Sequence, residues 1–207
     1  VHDFTLTPET KMASLLDSVQ QYVSGSALQQ LSKQLGADPA TTGSAISAAL
    51  PVLVGALARN ASTSEGATAL NTALDAHDGS ILNNLGSMLQ GDTMRDGAAI
   101  LGHVLGGSHE PVVQGVSKSS GLSAEKTGAL LTMLAPVVLG ALGKAKRQNG
   151  LDASGMASML GAEAQQAGSQ IPGGLGSLLG MLDRNNSGSV MDEAAGMLGK
   201  FFGKGAQ

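Results

Sequence analysis

Two stretches of this chain are apolar or small at nearly every position. The first runs from Asp38 to Arg59 and centres on Ala48-Ala49-Leu50-Pro51-Val52-Leu53-Val54-Gly55-Ala56-Leu57. The second runs from Ser123 to Lys144 and centres on Met133-Leu134-Ala135-Pro136-Val137-Val138-Leu139-Gly140-Ala141-Leu142. No charge falls between Asp38 and Arg59, or between Lys126 and Lys144. A helix that is apolar on every side must be buried, in a protein core or in lipid. Asp38 before Pro39 is a cap followed by proline at the first helical position, and Ser123 with Glu125 opens the second stretch similarly. Pro51 and Pro136 each remove one backbone hydrogen bond inside their helix, which predicts a kink or an interruption at two buried prolines. Both stretches approach the roughly 20 residues that span a bilayer. Their Pro, Gly, Ser and Thr content favours a core helix over a membrane helix, and solubility without detergent is the expectation.

The rest of the chain repeats around these two helices. Ser32-Lys33 matches Ser117-Lys118, Gly36 matches Gly121, Thr42-Gly43 matches Thr127-Gly128, and Gly55-Ala56-Leu57 matches Gly140-Ala141-Leu142. The offset is constant at 85 positions (117 minus 32). Further on, Leu85-Gly86-Ser87-Met88-Leu89 resembles Leu175-Gly176-Ser177-Leu178-Leu179, and Ala98-Ala99-Ile100-Leu101-Gly102 resembles Ala195-Gly196-Met197-Leu198-Gly199. Such self-similarity predicts a duplicated unit. The pattern predicts five helices in the first, over about 12–23, 26–35, 39–59, 65–74 and 81–90. It predicts five in the second, over about 94–106, 111–119, 124–147, 152–167 and 174–182, and a closing helix over about 190–203. The fold class is therefore all-α, a multihelical bundle, with a first repeat at 12–93 and a second repeat with its closing helix at 94–203. These form one compact domain or two similar subdomains. Ser26 with Gln29, and Ser189 with Asp192, have capping-box spacing. Pro111 fits a first helical turn, and Gly36, Gly91, Gly106 and Gly150 fit helix ends. Residues 1–11 lack the pattern and read as an expression remnant or flexible tail.

Composition narrows the function. Charged residues are 14% of the chain and aromatics 2%, so close packing of small residues replaces large rings in the core. A net charge of -4 without a basic run argues against a nucleic-acid partner. The absence of Cys removes disulfides, thiolate catalysis and Cys-ligated zinc, and fits any redox compartment. Cytoplasmic placement is expected, with the cell envelope and secretion as alternatives.

The stretch Leu28-Gln29-Gln30-Leu31-Ser32-Lys33-Gln34-Leu35-Gly36, followed by the Ala-Leu-Pro-x-Leu-x-Gly-Ala-Leu core, resembles the bacterial YidB-like family, domain of unknown function 937. The likeness extends from Met12 to about Gly203. It implies a multihelical all-α fold and an Asp-rich, Gly-Ser-containing turn before a final apolar helix, as at Asp183 to Phe202. It implies no established activity, so no catalytic residue is carried over.

Chemistry has few candidates. Asp183, Asn185 and Ser187 take positions 1, 3 and 5 of an EF-hand-like loop, with Gly188 at 6, the Ser189 carbonyl at 7 and Val190 at 8. Position 12 is Ala194, so Asp192 or Glu193 has to complete a weak calcium site, with affinity of roughly 10⁻⁴ to 10⁻³ M. The plainer reading is an Asx turn with Ser189 as a helix cap. Asp75, His77 and Asp78 are a weaker metal set, and a loop ending in a Ser80 cap is the preferred reading. His103 and His109 fit helix-end or surface histidines. Phe201 and Phe202 fit a core anchor better than a partner or membrane anchor. With no convergent acid, base or nucleophile, the reading is a non-enzymatic helical interaction or scaffold protein that partners other proteins or itself. A weak calcium-binding protein and a membrane-associated or ligand-carrying protein are the alternatives.

Overall fold

The computed structural model describes residues 14–83 and 91–170. Those residues form eight α-helices, and no strand occurs among them. In order they are α1 (Leu15–Tyr22), α2 (Ser26–Leu35), α3 (Pro39–Asn60), α4 (Ser64–Ala76), α5 (Gly91–Leu105), α6 (His109–Ser120), α7 (Ala124–Asn149) and α8 (Ala153–Gln170). Ser80–Asn83 and Gly106–Ser108 are single 3₁₀ turns.

The two uncharged stretches are α3 and α7, and their starts share one chemistry. The Asp38 side chain accepts from the Thr41 N–H at 3.0 Å, and the Ser123 hydroxyl accepts from the Lys126 N–H at 3.4 Å. One residue on, Thr42 and Thr127 are fully buried, and each hydroxyl donates back to the cap carbonyl at 2.9 Å. The helices before them end alike, with Gly36 and Gly121 in the left-handed conformation that glycine adopts without steric cost.

Burial explains why α3 and α7 lie at the centre. Leu50, Leu53, Leu130, Leu131, Leu134 and Leu142 are among the largest fully buried side chains. The outer helices pack largely across the halves of the chain: α6 and α8 lie on α3, and α1 and α4 lie on α7, which α5 of its own half also covers. One buried cluster joins residues from both sides of the expected boundary near residue 93. Both helices are long and apolar enough to cross a membrane. In their most apolar windows 56% of α3 and 72% of α7 is inside the fold, which is the burial a core helix needs.

Several expectations are corrected. Both prolines are carried within continuous helix, so neither interrupts it. Pro136 is buried, but Pro51 is only half-buried. Ser26 is not a cap: Gly25 precedes α2 with φ 57 and makes no side-chain cap bond. The capping box belongs to α1, where Ser14 and Asp17 bond reciprocally. Gly91 lies within α5. At the start of the helix expected over 81–90 stands the 3₁₀ turn Ser80–Asn83. The tail 1–11, the remainder of 81–90, and the helices expected over 174–182 and 190–203 lie outside the described residues.

Candidate functional site

The Asp75–Ser80 segment is a structural joint. Asp75 pairs with Lys146 of α7, whose ammonium also donates to the Asn71 carbonyl at 3.1 Å. The His77 Nδ1 lies 2.9 Å from the Ala73 carbonyl, and the Arg147 guanidinium donates to the His77 carbonyl at 3.3 Å. Asp78 Oδ1 accepts from the Ser80 N–H at 2.9 Å. The Ser80 hydroxyl and then its N–H hold the Asp78 carboxyl below its usual range. Asp78 thus caps the turn that begins at Ser80.

The joint also explains two small residues. Gly79 has φ +84, and a Cβ there would meet the Gly140 carbonyl at 3.1 Å. A Cβ on Gly143 would stand 1.9 Å from the His77 carbonyl. Small residues on α7 therefore let this loop dock on the core helix. Among the described residues no group of three or more His, Asp or Glu side chains is placed to hold a metal.

A groove lies between α1, α2 and α3. Its volume is about 430 Å³, and it is open to solvent. Val23, Leu28 and Ile46 supply its apolar surface, while Gln20, Gln21, Ser24 and Ser47 supply amides and hydroxyls. Its one carboxylate, Asp17, accepts from the Ser14 N–H in the cap of α1. The sequence does not announce this site, because its residues come from three helices and form no motif. The polar Ser47 between Ile46 and Ala48 is a hint at most.

Two further ties hold α1 over the core. Glu163 of α8 accepts the Leu15 N–H at 2.8 Å, and Lys144 of α7 donates to the Tyr22 hydroxyl at 2.8 Å. His103 is exposed on α5, and the side-chain amide of Asn60 donates to the His103 and Val104 carbonyls. His109 is half-buried at the start of α6. Asp183, Asn185, Ser187, Ser189, Asp192, Glu193, Phe201 and Phe202 lie outside the described residues.

Fold and site together define an all-α protein built on two uncharged core helices, with a groove of mixed polarity on its surface. The family profile described as a bacterial protein of unknown function, domain of unknown function 937, matches residues 17–145. That is more than half of the chain, and the protein belongs to this family. The match stops before α8, short of the span from Met12 to Gly203 over which the likeness was read. No curated protein and no solved structure matches.

Proposed function

We propose that this is a non-enzymatic interaction protein that binds a protein segment in the α1–α3 groove. The observation that carries the reading is the anatomy of the groove. Val23, Leu28 and Ile46 line it together with amides and hydroxyls, the mixed lining that protein interfaces use. The groove has one carboxylate, and that group caps a helix. Asp75, His77 and Asp78 likewise serve the joint on α7.

The same reading includes a duplicated five-helix unit with a closing helix. It is supported by the matched caps of α3 and α7 and by the glycines that precede them. In this view the groove belongs to the first unit.

The test places a photo-crosslinking amino acid at Gln20, on the groove, and at Thr68, exposed on α4. Discrete protein adducts from position 20 and none from position 68 are expected in cells producing the full chain. Equal yields at both positions, or none at either, would refute the reading.

A further inference from the structure

The chemistry of the α1–α3 groove also points to what enters it, an inference that rests on the interaction reading above. The groove collects hydrogen-bond acceptors. Asp17 is exposed, and its Oδ2 takes the Ser14 N–H at 3.4 Å, which leaves Oδ1 to solvent. The C-terminal end of α1 opens on the same groove through Gln20, Gln21 and Ser24. The Ser24 N–H, which a continuing helix would give to the Gln20 carbonyl, turns to the Gln21 carbonyl at 3.4 Å. The Gln20 carbonyl thus loses its helical partner. The last turn of α1 holds no basic residue to offset the negative end of the helix dipole.

A further acceptor comes from α3. Pro51 lacks the N–H that would bond the Ser47 carbonyl, four residues back. Pro136 frees the Thr132 carbonyl on α7 in the same way. There the oxygen is covered, because a Cβ on Gly97 of α5 would stand 2.1 Å from it. Ser47, by contrast, is exposed and lines the groove.

No cation of the lining answers these acceptors. Among the described residues that line the groove, none is Lys, Arg or His. Lys144 reaches the last turn of α1 at the Tyr22 hydroxyl, 2.8 Å away, and neither residue is part of the lining. A carboxylate, a helix C-terminus and freed carbonyls set together favour a positive charge. Arginine fits best, because its planar guanidinium offers several N–H donors to several oxygens while its stem lies along apolar surface.

We propose that the groove binds a segment of another protein through an arginine side chain set against Asp17 and the end of α1. An apolar neighbour of that arginine lies on Val23, Leu28 and Ile46. The groove then selects partners by charge, and salt weakens the contact because Asp17 is exposed.

Asp17→Asn tests the charge alone, because an asparagine oxygen still accepts the Ser14 N–H. The probe is an acetylated, amidated peptide of alanine and leucine with one central arginine. Its citrulline twin has nearly the same shape and no charge. Each peptide is titrated to millimolar concentration into the full-length protein, and the Gln20, Gln21 and Ser24 amide signals are followed by NMR. Circular dichroism checks that Asp17→Asn folds as the parent does. Saturable shifts with the arginine peptide are expected, with binding about five-fold weaker for the citrulline peptide or for Asp17→Asn, the upper range of an exposed ion pair. Equal affinity for the two peptides, no weakening in Asp17→Asn, or no shifts with either peptide would overturn the proposal. Signals that move with protein concentration alone would assign the groove to a second copy and overturn it as well. In each of these cases, photo-crosslinked adducts that persist at Gln20 would leave the interaction reading standing. Absence of those adducts as well would remove both readings.

Discussion

At the scale of single residues, glycines of similar appearance have opposite roles. Gly143 and Gly128 both lie inside α7. Alanine at 128 meets nothing within 4 Å, so Gly128→Ala should stabilise by about 0.5–1 kcal/mol through lost chain freedom in the unfolded state. Alanine at 143 collides with the His77 carbonyl at 1.9 Å, and backbone cannot yield as a side-chain tip can. Gly143→Ala should therefore destabilise by about 1–3 kcal/mol, the usual cost of overpacking. Urea unfolding of the two variants should shift the midpoint in opposite directions. Asp78 carries a pH signature. Its carboxyl is held below the ordinary value of 3.8 by Ser80, so its contact is present above that value and is lost as pH falls through the depressed one. In a titration followed by NMR, Asp78→Asn should remove the acid-dependent change at the Ser80 amide while leaving neutral pH unaffected.

At the scale of elements, α1 is tied to other helices at both ends. It has eight residues, too few to be stable alone, and buries Leu15 and Val19 against the core. Its first N–H is held by Glu163, so Glu163→Ala should cost about 1 kcal/mol, the value of a helix cap. Tyr22 is the sole tyrosine and there is no tryptophan, so its emission reports on α1 and its Lys144 contact alone. That emission should change at lower denaturant in Glu163→Ala than in the parent chain. The α4–α7 joint should behave differently. Asp75 is 65% exposed, so its pair with Lys146 is screened, and Asp75→Asn should cost less than about 1 kcal/mol. Equal unfolding midpoints for Asp75→Asn and the parent in high salt would agree with that screening.

For the whole molecule, the cross-packing of α8 on α3 and of α4 on α7 has a consequence for unfolding. Neither half of the chain encloses its own core helix, because the buried cluster is common to both. The described region should thus unfold in one cooperative transition. Leu134 is fully buried within that cluster, and Leu134→Ala should cost about 2–5 kcal/mol. Helix content and Tyr22 emission should move together in this variant, in contrast to Glu163→Ala. Two separate transitions would show that the halves have independent cores.

Among the described residues, the sequence by itself determined where the α-helices lie and which two must be buried. Charge-free stretches of Leu, Val and Ala have nowhere else to go in water, and Asp38-Pro39, Ser123, Gly36 and Gly121 mark ends through local backbone chemistry. The Ser26 cap was misread because Gly25 also suits an N-terminus, and only backbone geometry separates them. Partners were not legible. Nothing local assigns α8 to α3, the Glu163 carboxylate to α1, or Lys146 to the Asn71 carbonyl, because these contacts join residues distant in the chain. The unequal burial of Pro51 and Pro136 likewise depends on which neighbours lie against each helix, more than on the similar apolar residues around them. The groove depends on the same kind of contact: Ser47 and Thr132 occupy equal places in the sequence, but among the described residues Gly97 of α5 packs on the Thr132 carbonyl, while Ser47 is exposed and lines the groove.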